Sequence, residues 1–181
     1  DNIEQMPVDG DGVIDLAALA AKLAEMDGQA LVSVMLANNE IGTIQPIAEI
    51  GKYLHEKSIL FHTDAVQALG KIAVDLKSSQ IQYASFSAHK IHGPKGVGAL
   101  YVNRKIFIKP LFYGGAQEKR LRPGTENVAG IVGFAEAVSP KERCSKITKL
   151  RDYFLKRLLK EIPGTKLNGS IKIRLCNNLN V

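Results

Sequence analysis

Hydrophobic residues along the first hundred positions follow two different periods. After Asp15 and again after Pro46 they recur at the spacing of an amphipathic helix, in one set of Leu16, Leu19, Ala20 and Leu23 and another of Ile47, Ile50 and Leu54. We expect Asp27-Gly28 to end the first helix. Short apolar runs at 30–36, 59–61, 81–86 and 97–102 predict strands. This alternation predicts an α/β domain.

The first apolar run indicates the kind of sheet. Residues 30–36 are interrupted only by Ser33, which is typical of a strand buried on both faces. Strands of this kind occur in parallel sheets. A polar, glycine-rich segment at 87–96 joins the last two predicted strands.

Helical patterns dominate the second half of the chain. Their spacing predicts one helix over 126–138, ended by Ser139-Pro140, and a longer one over 141–162, ended by Pro163-Gly164. The apolar stripe of the longer helix is typical of packing against another layer. Two strand-like pieces follow at 171–175 and 179–181. Because so few residues cannot build a second core, we expect a truncated chain or a module whose remainder lies outside this sequence.

The composition is that of a globular protein, with 45% hydrophobic and 23% charged residues. No apolar run approaches the roughly 18 residues of a membrane span, and the first residues lack the pattern of an export signal, so we expect no membrane association. Cys144 and Cys176 are too few for a disulfide framework, and no Cys or His lies near them at metal-ligand spacing. We therefore expect no metal site and a cytoplasmic location.

The net charge of +6 arises mostly from residues 141–172. Such a cluster fits either a nucleic-acid surface or a solvated helix face. Acidic residues are interleaved with the basic ones, and no stacking aromatic side chains or known nucleic-acid-binding motif accompany them. We favour the solvated face and expect no direct contact with nucleic acid.

Polar segments follow the predicted strands at 38–42, 62–67 and 87–90, and a glycine-rich turn leads to a fourth segment at 122–125. In open α/β sheets ligands bind beyond the carboxyl ends of parallel strands. We therefore expect these segments to converge on one rim of the sheet.

Two residues on this rim indicate a specific chemistry. Lys90 is either a strand-end amine that partial burial neutralises into a nucleophile, or a surface lysine. Asp64 lies 26 positions earlier and either pairs with a cationic ring nitrogen or caps the next helical turn. Together a lysine and an aspartate are the residues by which proteins hold pyridoxal phosphate, so the pair suggests that cofactor.

Two amides on the same rim have equally ambiguous roles. Gln67 either completes a capping box with Asp64 or aims its amide at a ring hydroxyl group. Asn39 suits a turn as well as a donor to a ligand. The sequence alone leaves both alternatives open.

Four segments in order, ANNEIG (37–42), HTDAVQ (62–67), SFSAHKIHGPKG (85–96) and RPGTEN (122–127), closely resemble cysteine desulfurases. These enzymes are pyridoxal-phosphate enzymes of the class V aminotransferase family, fold type I. The resemblance implies a three-layer α/β fold with a mainly parallel sheet, of which residues 1–139 are the second half of the large domain. It implies that residues 140–181 form the connecting helix and the start of a smaller α+β domain.

The same resemblance implies roles for individual residues. Lys90 would bind pyridoxal 5'-phosphate covalently and, with His89, act in catalysis. The residues that hold the cofactor would be Asp64 at the pyridinium nitrogen, Gln67 and Asn39 near the ring hydroxyl group, Ser87 and His89 at the phosphate, and Thr125 at the phosphate bound by the other subunit of a homodimer.

The implied reaction removes sulfur from L-cysteine, leaving alanine and a persulfide for a sulfur-acceptor protein in iron–sulfur cluster assembly or tRNA thiolation. The resemblance places the ring-stacking histidine before this chain, and the nucleophilic cysteine and substrate-binding arginine after it. Cys144 and Cys176 are accordingly interpreted as structural or incidental, and the chain alone as catalytically incomplete. A selenocysteine lyase, another class V relative, or a non-catalytic module that binds a partner remain alternatives.

Overall fold

The structure is a computed structural model that describes residues 3–26, 28–138 and 143–181. Within these ranges the chain forms four α-helices and one four-stranded sheet. In chain order the elements are α1 (Leu16–Ala24), β1 (Leu31–Met35), α2 (Ile47–Glu56), β2 (Leu60–Asp64), β3 (Tyr83–Ser87), the 3₁₀ turn Ala88–Ile91, β4 (Gly98–Val102), the 3₁₀ turn Gln117–Arg120, α3 (Val128–Ala137) and α4 (Arg143–Glu161).

Helix α1 begins where the sequence predicts. The Asp15 carboxylate accepts hydrogen bonds from the backbone N–H groups of Ala17 and Ala18, at 2.9 and 3.0 Å. These bonds satisfy two of the donors that a helix N-terminus leaves unpaired. The helix ends at Ala24, and Asp27 of the predicted stop signal lies outside the described residues.

The sheet has the order β1-β2-β3-β4 and is mainly parallel, as predicted. Strands β1, β2 and β3 run parallel, whereas β4 pairs antiparallel with β3. Helix α2 connects β1 to β2. Residues 65–82 connect β2 to β3 through turns instead of a helix, because Gly70 has a positive φ of 72° and the Asp75 carboxylate accepts from Lys77 and Ser78 N–H in a tight turn.

One face of the sheet carries the hydrophobic core. Phe61 of β2, Ile50 and Leu54 of α2 and Ile81 are fully buried there. Leu175 joins the same core cluster from beyond α4. The C-terminal segment of the chain therefore packs against the layer that supports the sheet.

The opposite face of the sheet is open, so the prediction that residues 30–36 are buried on both faces is wrong. Leu31 of β1 is 58% exposed, and Leu100 of β4 is also exposed on this face. A continuous apolar run shows that a strand is hydrophobic on both sides, but it cannot show whether the chain supplies both covering layers. In this chain the described residues cover one face of the sheet.

The predicted helices of the second half are present, with much of their apolar surface exposed. The Asn127 side chain caps α3 by accepting from Gly130 N–H at 3.0 Å, and Val128 and Val132 of that helix remain exposed. In α4 only Leu155 of the predicted stripe is buried, while Phe154 and others are exposed. The predicted stop at Ser139-Pro140 and the start of the basic run at Lys141 lie outside the described residues.

The two short strands predicted near the C-terminus do not form. Residues 171–175 make a single β-bridge, between Arg174 and Thr43, and 179–181 are irregular. Arg174 is buried and donates hydrogen bonds to the Ser170 carbonyl and to the Asn178 side chain, both at 2.8 Å. These local bonds fold the segment into a compact loop. No helix within the described ranges is long and apolar enough to cross a membrane.

Candidate functional site

Asp64 is the last residue of β2 and lies in the middle of the sheet, paired in register with Met35 of β1 and Ser85 of β3. Its Oδ1 atom accepts a hydrogen bond from Val66 N–H at 2.8 Å. Leu69 N–H donates to the Ala65 carbonyl at 3.1 Å, so Asp64 caps a single helical turn, in agreement with the cap alternative. Among the described residues none bonds to Oδ2, which leaves one carboxylate oxygen available to a ligand.

His62 lies two positions before Asp64, on the same face of β2. Its Nδ1 atom is 2.8 Å from Ser33 Oγ and its Nε2 atom is 2.9 Å from Ser85 Oγ, so the ring connects β1 to β3. Burial lowers the pKa of His62 below 6.5, and the charge of Asp64 opposes that shift. Sequence reasoning missed this polar row. The i, i+2 spacing of His62 and Asp64 on a strand is the sequence signal that could have revealed it.

Gln67 does not form the predicted capping box with Asp64. Its Oε1 atom accepts a hydrogen bond from Lys71 Nζ at 3.1 Å, and its backbone carbonyl accepts a second from the same amine at 2.9 Å. The capping box with Asp64 is therefore absent. Burial lowers the pKa of Lys71, with Lys90 adding to the shift and both cysteine thiols opposing it. Lys71 thus lies between the predicted cofactor rim and the cysteines.

At the Asn38-Asn39 turn, the side-chain hydrogen bonds are made by Asn38 and not by Asn39. Asn38 makes the turn, since its Oδ1 atom accepts from the N–H groups of Glu40 and Ile41 at 2.8 and 2.9 Å. Asn39 is exposed, and no hydrogen bond to its side chain occurs in the described part of the chain. The Asn178 side chain donates to the carbonyl of Glu40 at 2.8 Å and fixes the backbone of this loop.

Ser87, His89 and Lys90 lie together at the end of β3 and in the 3₁₀ turn that follows. Ser87 Oγ is 2.7 Å from His89 Nδ1, so the structure joins these two predicted phosphate ligands. Lys90 is exposed, and the expected burial of its amine is wrong for this chain. No described residue forms a hydrogen bond or ion pair with that amine.

Thr125 is exposed on the loop after the 3₁₀ turn Gln117–Arg120. The N–H group of Gly124 donates to Gln117 Oε1 at 3.2 Å, and Arg122 donates to the Pro123 carbonyl and lies over the ring of Phe112. These contacts connect residues of the same loop and fix its conformation. Within the described ranges no hydrogen bond connects Thr125 with the other predicted site residues.

Cys144 and Cys176 contact each other, which sequence reasoning did not foresee. Their sulfur atoms are 3.0 Å apart, although the residues are 32 positions apart in sequence. Both line a pocket of about 90 Å³ together with Lys71, Lys90 and His92. No group of three metal-ligating side chains occurs in the described ranges.

A family model described as aminotransferase class-V matches residues 1–179. The chain belongs to the class-V aminotransferase family. Among curated relatives, a cysteine desulfurase IscS of Methanosarcina thermophila is 48% identical over 184 residues, which cover 99% of this chain and 45% of that protein. A cysteine desulfurase of Trichormus azollae is 46% identical, with 99% of this chain and 46% of that protein covered. The chain thus spans about half the length of these relatives.

Solved structures of the class-V type share the fold. A NifS-like protein from Rickettsia africae has a TM-score of 0.92 and 38% identity, covering 96% of this chain and 50% of that one. A structure described as SspA in complex with cysteine has a TM-score of 0.72 and 38% identity, covering 83% of this chain and 44% of that one. The chain therefore shares its fold with about half of each of these proteins.

The donor groups of this class-V chain fit pyridoxal phosphate chemically. A carboxylate with one unbonded oxygen, at Asp64, suits a protonated ring nitrogen. An unpaired exposed amine, at Lys90, suits an aldehyde. The adjoining Ser87 hydroxyl and His89 ring supply donors suited to a phosphate.

Proposed function

We propose that the full-length protein containing this chain is a pyridoxal-phosphate-dependent cysteine desulfurase, a transferase that converts L-cysteine to L-alanine and an enzyme-bound persulfide. The observation that carries the proposal is the 46–48% identity over nearly the whole chain to proteins named cysteine desulfurase. The complete set of predicted site residues, from Asn39 to Thr125, supports the same function.

Pyridoxal phosphate, when bound, supplies an aldehyde and a ring that accepts electrons from the substrate. In the proposed reaction Lys90 Nζ holds the group covalently and afterwards carries a proton to and from the substrate carbon. Asp64 keeps a proton on the ring nitrogen by presenting a carboxylate to it. A second strand-end residue, His89, orients the group from the turn that also carries Lys90.

The remaining predicted residues would position the cofactor. Ser87 and His89 bind its phosphate, and the amides of Asn39 and Gln67 face the ring hydroxyl group. For Gln67 this requires its amide NH₂, because the amide oxygen is occupied by Lys71. Thr125 binds the phosphate held by the other subunit of a homodimer.

Exposed apolar residues support the dimer proposal. Val128 and Val132 of α3 present hydrophobic side chains to solvent, and so do Phe107, Leu111 and Tyr113 in the loop that precedes Thr125. Apolar surface of this kind marks an interaction site. A second copy of the protein that covers it would bring Thr125 toward the opposite site.

We further propose that the sulfur-accepting cysteine lies outside this chain, and that a separate protein takes the sulfur onward for cluster assembly or tRNA thiolation in the cytoplasm. Burial raises the pKa of Cys176 to about 11, which keeps that sulfur protonated and a poor nucleophile. In this proposal residues 1–139 belong to the large domain and 140–181 lead into a smaller one.

The test uses the full-length protein with pyridoxal phosphate and L-cysteine. With excess dithiothreitol present to reduce the persulfide, we expect alanine and sulfide in equal amounts. In Lys90→Ala we expect turnover to fall at least about 100-fold and the visible cofactor absorbance to be lost. Lys52→Ala, which removes an exposed lysine of α2, is the matched control and keeps both. Turnover on L-selenocysteine with none on L-cysteine would contradict the proposed substrate.

A further inference from the structure

Two thiols meet at the junction between α4 and the C-terminal loop. Cys144 lies in the first turn of α4, and Cys176 follows the core residue Leu175. The thiol of Cys176 donates a hydrogen bond to the sulfur of Cys144 at 3.0 Å, about 1 Å longer than a disulfide bond. A small approach of the two side chains would therefore join them.

The polar surroundings of the two sulfurs differ. Cys144 is half-buried, and its thiol donates to the Lys71 carbonyl at 3.3 Å. Cys176 is only 7% exposed, and burial together with the hydrogen bond to Cys144 raises its pKa to about 11. Cys176 therefore retains its proton and offers it to Cys144, while the nearby Lys71 ammonium group interacts favourably with negative charge on either sulfur.

Access to the sulfurs comes from the pocket of about 90 Å³ beside Lys90. Both cysteines line it, so a small oxidant that enters reaches the two sulfurs from one side. A volume of this size suits a hydroperoxide and not a bulky peptide disulfide. Cys144 is the more exposed of the two and is the sulfur that such an oxidant meets first.

We propose that Cys144 and Cys176 are a reversible dithiol–disulfide pair, oxidised by a hydroperoxide that enters the pocket beside Lys90. The sulfur of Cys144 attacks one peroxide oxygen, the O–O bond breaks, and a sulfenic acid forms with release of water. The proton of Cys176 passes to the leaving oxygen as its sulfur attacks the Cys144 sulfur, the S–O bond breaks, and a second water leaves. Two thiols lose two electrons and two protons, and hydrogen peroxide becomes two waters.

The disulfide would connect α4 to the loop that carries Leu175 and Arg174. Such a link restricts the unfolded chain and raises the thermal midpoint of the oxidised protein. The pair does not depend on desulfurase activity, because it involves neither substrate nor cofactor. Its failure and that of the proposed function are therefore distinguishable.

The experiment treats the full-length protein with hydrogen peroxide, blocks free thiols, digests the chain and identifies peptides by mass spectrometry. We expect a cross-linked peptide that joins Cys144 to Cys176, two hydrogens lighter than the sum of its parts, and its disappearance with dithiothreitol. Complete alkylation of both cysteines after peroxide treatment would overturn the proposal.

Single variants test the order of the two steps. In Cys176→Ser the Cys144 sulfenic acid has no resolving thiol, so dimedone labels Cys144 strongly. In Cys144→Ser we expect labelling of Cys176 at least tenfold weaker, and equal labelling would contradict the assigned order.

Lys71→Met should slow oxidation severalfold while Lys71→Arg restores it, because the positive charge favours the reacting thiolate.

Discussion

His62 and Asp64 occupy the same face of β2, and the carboxylate of Asp64 opposes the burial that lowers the pKa of His62. The ring bridges Ser33 and Ser85 through both nitrogen atoms. A histidine with two hydroxyl partners is satisfied in its neutral form, because each hydroxyl donates to or accepts from the ring as required. The sheet centre therefore keeps an uncharged ring beside a charged carboxylate.

This arrangement predicts a pH dependence of stability. A histidine whose pKa is lowered on folding binds fewer protons in the folded state, so stability is complete above its usual pKa of 6.5 and declines as pH falls through the lowered value. We expect the thermal midpoint of the protein to fall below pH 6.5, and to fall less in His62→Gln. His55→Gln, at an exposed position of α2, should leave the wild-type profile unchanged. Identical profiles for wild type and His62→Gln would contradict the prediction.

Asp64 allows its turn role to be separated from its charge. Asn at this position keeps an oxygen that accepts from Val66 N–H but removes the negative charge, whereas Ala removes both. We expect Asp64→Asn to change stability by less than about 1 kcal/mol while lowering turnover of the full-length protein at least about 100-fold. Thermal unfolding and alanine production measure the two effects. Full turnover in Asp64→Asn would show that only the turn matters.

The proposed role of Thr125 in the partner subunit's site predicts the behaviour of a mixed dimer. One subunit carries Lys90→Ala and the other Thr125→Ala. If sites are shared, the single intact Lys90 faces an intact Thr125 from its partner, and this site binds pyridoxal phosphate with wild-type affinity. Cofactor titration followed by absorbance measures it. Affinity as weak as in the Thr125→Ala homodimer would mean that each site is built within one subunit.

Packing of the C-terminal loop onto the sheet core predicts a large effect at Leu175. This side chain is 2% exposed, so Leu175→Ala should destabilise the full-length protein by about 2–5 kcal/mol in denaturant unfolding. Leu150→Ala, at a position of α4 that is 59% exposed, is the matched control and should change stability by less than about 0.5 kcal/mol. Equal effects at the two positions would show that the loop does not support the core.

Much of the fold was predictable because its signals are local. Asp15 caps α1 and Pro46 precedes α2, and both act through the backbone groups next to them. The C-terminal strands failed because apolar residues at 171–175 fit a strand, whereas the buried hydrogen bonds of Arg174 shape a loop. Hydrogen bonds from an arginine to its own segment do not change the hydrophobic periodicity, so this loop could not be predicted from the sequence pattern.

In the candidate site, too, the local features were predictable from the sequence and the long-range contacts were not. The motifs that carry Asp64 and Lys90 were found from their positions after apolar runs. In the structure Asp64 is the last residue of β2, and Lys90 lies in the turn after β3. The bridge through His62 and the contact between Cys144 and Cys176 join residues 23 to 32 positions apart. Such pairs arise from tertiary packing, which a single sequence specifies but does not display.

The hydrogen bond from Asn178 to the carbonyl of Glu40 spans 138 positions, and it fixes the loop that carries Asn39. A ribosome releases the residues of this loop long before it releases Asn178. During synthesis the loop and β1 are therefore made well before the segment that carries Asn178. A nascent chain that stalls within α4 consequently lacks the bond that fixes the Asn39 loop.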